Sequence, residues 1–195
     1  MENIDQLIEE IRRFAMQAEK QSRYEHSVRV AETSEYMCGL YGIDAKKGYL
    51  AGIAHDICKN ISEEEMKVLA AEDGNEITEV EMLKPSLLHG RAAAVLLSKK
   101  FGVDDPDIIQ AVALHTFGGT DLCPLAKVVY SADKIEPGRE HSTDEYRAKL
   151  FAMTLDELTL YVVEENMAYL KERGKKIAPS SIEFQESLRK KTGGN

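Results

Sequence analysis

A chain of 195 residues, 43% of them hydrophobic, can bury a core of its own. Its formal net charge of -9 opposes a broad grip on a phosphate backbone and speaks against nucleic acid as a partner. Cys38, Cys58 and Cys123 are odd in number and lack CxxC spacing, so they form neither a disulfide frame nor a zinc knuckle and read as free thiols of a reducing cytoplasm.

The elements follow in chain order. The start, MENIDQLIEEIRR, is acidic and amphipathic and does not read as a signal peptide. Ile4, Leu7, Ile8, Ile11, Phe14 and Ala15 make one stripe and predict a first helix over about residues 1–20. Tyr24, Val28, Ala31 and the Met37/Cys38 end make a second. The run LAGIAHDICKN, Leu50 to Asn60, is apolar until it meets His55-Asp56, with Lys59 three residues on. KVVYSAD, ending in Asp133, fits a short strand or a buried helix. Leu155, Leu158, Tyr161, Val162 and Met167 mark a long late helix.

Ser or Thr followed three residues later by Glu is the capping-box pattern. It recurs at Ser22/Glu25, Ser62/Glu65, Thr78/Glu81, Ser142/Glu145, Thr154/Glu157 and Ser180/Glu183. Breaks fall at Gly39 to Gly42, Asp73-Gly74, Gly102 with Pro106, Phe117 to Gly119, Pro137-Gly138 and Gly174. No segment shows convincing strand alternation, and no run approaches the roughly 20 apolar residues of a membrane span. The expectation is a single all-α domain over 1–195 with about eight to eleven helices. Its core spans about 20–185, and the tail at 190–195 is frayed.

Four histidines stand beside apolar residues of predicted helices. His26 shares a face with Val30 and Met37. His55 ends one apolar run and His115 another, IIQAVAL, while His89 follows Leu87-Leu88. Asp56 and Asp133 likewise follow buried-looking segments. Any one of these alone reads best as a core residue with a local partner. All six together are costly, because each buried polar group needs its own partner and an unpaired carboxylate costs several kcal/mol. A shared cation satisfies them all, and imidazole with carboxylate suits iron, manganese, zinc, nickel or cobalt. His141 reads as a surface residue.

A lone His, an adjacent His-Asp pair and a distant Asp, all on helices, resemble the signature of the HD-domain metal-dependent phosphohydrolases. Here these are His26, His55-Asp56 and Asp133. His89 and His115 match the binuclear variants. The words YEHSVRVAE, AHDICK, LLHGRAAA, LHTFGG and YSADKIEPGR look more closely like the YqeK family of HD-type symmetrical diadenosine tetraphosphatases, over about residues 20 to 185. Phe117 and Ala178 stand where that family has Thr and His.

The resemblance implies a single HD domain that cleaves a dinucleoside tetraphosphate into two nucleoside diphosphates. It assigns His26, His55, Asp56 and Asp133 to a first metal, and Asp56, His89 and His115 to a second. With one ion only, His89 and His115 act on phosphate instead. Asp56, Lys59, His89 and His115 are the expected catalytic residues. Arg23, Lys59, Thr116, Asp133, Arg139 and the run Lys176-Ile177-Ala178-Pro179 are expected nucleotide or phosphate contacts. The resemblance leans towards iron, one or two ions, with Mn, Co, Ni and Zn as alternatives. A homodimer follows by analogy, in the cytoplasm, with no membrane partner. Two other readings stay open. One is a different HD-type nucleotide phosphohydrolase or phosphodiesterase. The other is a non-catalytic nucleotide-sensing module.

Overall fold

The computed structural model describes residues 4–193, and among them the chain is all-α. Eleven α-helices and one 3-10 turn follow in order. The first helix, α1 (Ile4–Ala18), is amphipathic, with Ile11 and Ala15 fully buried as its stripe requires. Then come α2 (Gln21–Leu40), α3 (Ala45–Ala54), α4 (Glu63–Ala71) and α5 (Glu79–Leu83). The 3-10 turn (Pro85–Leu88) runs directly into α6 (His89–Phe101), and α7 (Pro106–Leu114) follows. The chain continues with α8 (Pro124–Ile135), α9 (Asp144–Phe151), α10 (Leu155–Glu172) and α11 (Pro179–Lys191).

KVVYSAD belongs to α8, so the helix alternative holds. Cys123 caps it through the Ala126 N–H, and Pro124 occupies its first turn, where a missing N–H costs nothing. The helix is buried nearly all round, which is why its sequence shows little alternation. Tyr130 packs edge-to-face on Phe184 of α11, ring centroids 5.3 Å apart.

Capping boxes form at Ser62/Glu65, Thr78/Glu81 and Thr154/Glu157. The other three expected boxes do not form. Ser22 lies inside α2, which starts one residue earlier behind Lys20. Thr143, not Ser142, caps α9; the Ser142 hydroxyl is turned inward and donates to the Ile135 carbonyl. Pro179 starts α11, with Ala178 at the cap, so Ser180 is already helical. The last helix also extends to Lys191, past the expected start of fraying at 190, and residues 194–195 lie outside the described part.

The tightest helix crossing is that of α2 on α3. A Cβ on Gly52 would lie 2.6 Å from Ala31 Cα, and one on Gly48 would lie 2.8 Å from the Ser34 carbonyl oxygen. Two bare glycines on one face of α3 let the backbones touch, and this holds His26 of α2 against the end of α3. Among the described residues, no helix is long and apolar enough to cross a membrane, and Cys38, Cys58 and Cys123 are free thiols.

Candidate metal centre and phosphate site

Five segments deliver six side chains to one place. His26 comes from the first part of α2. His55 follows the last residue of α3, with Asp56 next. His89 opens α6, His115 follows the last residue of α7, and Asp133 sits in the last turn of α8. The expectation that these histidines lie within helices therefore holds for His26 and, at the first residue of α6, for His89; His55 and His115 fall just past helix ends. All but His26 stand at helix ends, where the chain changes direction and several elements can meet at a point.

Ring orientation is set locally. The Nδ1 atoms of His55, His89 and His115 lie 2.6, 2.8 and 2.8 Å from the carbonyl oxygens of Gly52, Ser86 and Val112. Each acceptor is three residues back. A carbonyl only accepts, so each Nδ1 carries the hydrogen and each Nε2 keeps a bare lone pair. His26 Nδ1 faces a carboxylate instead, Glu136 Oε1 at 3.0 Å. All four Nε2 atoms thus turn to the shared space.

That space is crowded with acceptors. His89 Nε2 lies 3.0 Å from His115 Nε2 and 3.0 Å from Asp56 Oδ1. His26 Nε2 is 3.1 Å from Asp133 Oδ1. His55 Nε2 is fully buried without a hydrogen-bond partner, 3.7 Å from Asp56 Oδ2 and 3.8 Å from Asp133 Oδ1. Lone pairs this close need positive charge among them. The donor atoms of His26, His55 and Asp56 lie within 4.8 Å of one another, as do those of Asp56, His89 and His115. The residues present therefore fit a metal ion. Asp56 serves both groups, with Oδ2 towards His55 and Oδ1 towards His89 and His115.

Electrostatics agree. Burial works to raise the Asp56 carboxyl; the imidazoles of His55, His89 and His115 outweigh it and hold it well below the usual carboxylate range. Asp133 is held down in the same way, against burial, by Lys134, His26, His55 and Arg139. Burial pushes His55 down and His115 well down, towards the neutral form in which an imidazole ligates a metal.

The cationic residues form a rim. Arg23 Nη1 donates to Asp56 Oδ2 at 2.8 Å. Lys59 Nζ flanks the His89 ring, 3.0 Å from Nδ1 and 3.2 Å from Nε2. Thr116 Oγ1 is 3.4 Å from the Nε2 atoms of both His89 and His115. Arg139 is folded back on Asp133, donating to its carbonyl at 2.9 and 2.6 Å and to Oδ1 at 2.8 Å. Lys176, Ile177, Ala178 and Pro179 lie outside the cluster. Lys176 pairs with Glu79 of α5, and Ala178-Pro179 start α11. This segment is nevertheless tied to the site: Ser181 donates to the Phe117 carbonyl at 2.8 Å, on the loop that follows His115 and Thr116. Gly118 closes that loop at φ 73°, leaving room for the Phe184 ring. His141 is on the surface, edge-to-face against Tyr146.

Sequence reasoning missed four supporting residues. Lys134 follows Asp133 and donates to its Oδ2 and to the His115 carbonyl, linking α8 to the end of α7. Arg29 stands one helical turn past His26 on α2, and Glu136 stands three residues past Asp133, just beyond the end of α8; that spacing was the available signal. Burial works to raise the Glu136 carboxyl, but the His26, Arg29 and Gly138 donors hold it down at about 2.

Glu19 is the fourth. It is buried; Oε2 accepts from Ser27 at 2.8 Å and Oε1 has no protein partner. Burial pushes its pKa from 4.5 up to about 7; the Ser27 hydrogen bond opposes this and the Asp56 charge adds to it. Between these values the folded chain keeps a proton that the unfolded chain has released, so stability falls as pH rises through that window. Glu19→Gln is expected to gain on the order of 1–3 kcal/mol at pH 8 and almost nothing at pH 4. Urea unfolding at both pH values checks this, and an equal effect at both would contradict it.

Comparison with known proteins bears on the same residues. The HD domain family model matches residues 23–138, a span from Arg23 to the Pro137-Gly138 turn that holds all six clustered side chains. The chain is 33% identical over 161 residues to the Bacillus subtilis protein named bis(5'-nucleosyl)-tetraphosphatase, symmetrical, covering 82% of this chain and 86% of that one. It is 34% identical over 134 residues to the Staphylococcus aureus protein of the same name, 68% of each chain. A crystal structure from Clostridium acetobutylicum, described as a predicted HD superfamily hydrolase involved in NAD metabolism, superposes with a TM-score of 0.86. It is 29% identical, over 94% of this chain and 97% of that one. With its His-Asp cluster, its all-α fold and these relatives, the chain belongs to the HD domain family of hydrolases and, within it, to the symmetrical bis(5'-nucleosyl)-tetraphosphatases.

Proposed function

We propose that this chain hydrolyses diadenosine tetraphosphate symmetrically to two ADP. The observation that carries the reading is the cluster itself: four buried Nε2 lone pairs turned onto Asp56 and Asp133, with a cationic rim of Arg23, Lys59 and Arg139. The relatives' printed activity supplies the substrate. His26, His55, Asp56 and Asp133 are assigned to one ion, and His89 and His115 with Asp56 to a second. Iron is the metal we infer, and the same donors accept Mn, Co, Ni or Zn. When bound, the ion neutralises phosphate charge and makes water more acidic.

The chain's own groups do the rest. Lys59 stands 3.0 Å from the His89 ring at the mouth of the cluster, where it meets a phosphate oxygen. Arg23 is half-exposed and exchanges Asp56 for phosphate, and Arg139 has the reach and the fork to do the same. Thr116 offers a hydroxyl beside His89 and His115. The segment Lys176 to Pro179 contributes the nucleoside side of the pocket, anchored through Ser181 and Phe117. In the reaction, water oxygen bonds to one inner phosphorus. The oxygen bridging the two inner phosphates leaves with the other ADP, and both hydrogens of the water are released as protons when the two ADP are fully ionised. The free thiols support a cytoplasmic setting.

Incubating the metal-loaded protein with diadenosine tetraphosphate and resolving the products tests this. Two ADP is the expected outcome. AMP plus ATP contradicts the symmetrical assignment, and tight binding without turnover for every metal tried points to a nucleotide sensor. Lys59→Ala is expected to lower kcat by about 10–100-fold with metal content near normal. Lost metal would contradict its phosphate role. One observation favours a second reading, hydrolysis of another nucleotide: the similar Clostridium acetobutylicum structure is described as involved in NAD metabolism.

A further inference from the structure

We infer that Glu136, locked by Arg29 and by the N–H of Gly138, is the positioning residue that sets His26 for metal binding. This inference rests on His26 being a metal ligand, as proposed above.

Glu136 is 1% exposed, just past the end of α8 and three residues beyond Asp133. A carboxylate buried so deeply must have its lone pairs occupied. The occupants are specific. His26 Nδ1 lies 3.0 Å from Oε1, Arg29 Nε lies 2.5 Å from Oε2, and the Gly138 N–H donates to Oε2. Arg29 Nη2 adds a longer contact to Oε1 at 3.4 Å. His26 and Arg29 are one helical turn apart on α2, so both approach the same carboxylate from one side.

Glycine at 138 is part of the device. A Cβ there would lie 2.5 Å from Arg29 Nε and 2.6 Å from its Cζ. The guanidinium therefore lies flat across the turn only because residue 138 has no side chain.

His26 differs from its three partners in one respect. His55, His89 and His115 give their Nδ1 hydrogens to neutral carbonyls from their own turns. Those bonds come with the helix ends. His26 lies mid-helix, has no such carbonyl, and gives its hydrogen to an anion 110 positions away. A carboxylate on the far nitrogen makes the near one a stronger donor and fixes the ring plane. It also ties the His26 ring to the end of α8, the helix that carries Asp133. Two ligands from distant parts of the chain are thereby held at one spacing.

The test uses the full chain, stripped of metal and titrated with Co²⁺ alone. Glu136→Gln keeps the volume and loses the charge; Co²⁺ affinity is expected to fall about 10–100-fold with the helical circular dichroism unchanged. The cobalt absorption spectrum is expected to shift, because the ring at one ligand position is no longer fixed. Gly138→Ala leaves all three side chains chemically intact and pushes Arg29 aside. It is expected to give a smaller loss, about 3–10-fold, and the same direction of spectral shift. If Glu136→Gln fails to fold, Gly138→Ala decides. Unchanged cobalt affinity and spectrum in a folded variant overturn the role of Glu136, even if thermal stability drops. A parent protein that binds no Co²⁺ at this cluster would instead sink the metal reading of His26, a different outcome.

Discussion

Replacing Asp56 with alanine is expected to remove the metal and lower turnover at least about 10³-fold, while the helical circular dichroism survives. No other side chain of the cluster faces both donor groups. One oxygen lies 3.0 Å from His89 Nε2, and the other lies 3.7 Å from His55 Nε2. Without it, four imidazoles face one another with Asp133 as the remaining anion. The backbone around residue 56 has its own support. The Lys59 N–H donates to the Asp56 carbonyl at 2.8 Å, and Ile53, Ala54, Ile57 and Cys58 stay in the core. Asp56→Asn keeps the shape and loses the charge, so it is expected to fail as completely as alanine. Metal analysis with turnover on both variants checks this. Retained activity in either contradicts the assignment of Asp56.

Gly52→Ala is expected to have the largest effect on stability. A Cβ at this position meets Ala31 Cα at 2.6 Å and Ala31 N at 2.9 Å, backbone atoms that cannot turn away. Alanine is worth about 1 kcal/mol over glycine in a helix interior. Overpacking a close crossing costs about 3 kcal/mol. The clash wins, and a net loss of about 2 kcal/mol or more follows. The displacement also reaches the site, because Gly52 supplies the carbonyl that orients His55, whose ring centroid lies 5.3 Å from that of His26. Metal affinity is therefore expected to fall together with stability. Gly39→Ala is the control: its Cβ meets nothing within 4 Å, and the change is expected to be neutral or mildly stabilising. Urea unfolding of both variants decides it, and a Gly52→Ala protein as stable as the parent contradicts the close crossing.

Helices with one apolar stripe were readable because the period of an amphipathic helix is written in the residues; Ile11 and Ala15 of α1 are examples. The largely buried α8 was ambiguous because a short apolar run such as VVYSA suits a buried strand as well as a buried helix. Capping failed where a residue other than the Ser sets the helix start: Thr143 displaces Ser142, and Pro179 fixes α11 ahead of Ser180. The six clustered residues were legible by type, since His and Asp stand out beside apolar runs. Their geometry was not. Nothing in the order of residues shows that His55, His89 and His115 each bond a carbonyl three residues back. Nor does it show that Arg139 lies on Asp133. Glu136 did not stand out in the sequence; its burial against His26 and Arg29 depends on the packing of α2 against α8.

The central claim is that this cluster holds a cation. Anomalous diffraction from crystals of protein purified without added ions tests it most directly. The account predicts a transition-metal peak bounded by His26, His55, Asp56 and Asp133, and any second peak between Asp56, His89 and His115. A peak elsewhere in the molecule, or metal-free crystals that still turn over diadenosine tetraphosphate, would contradict it.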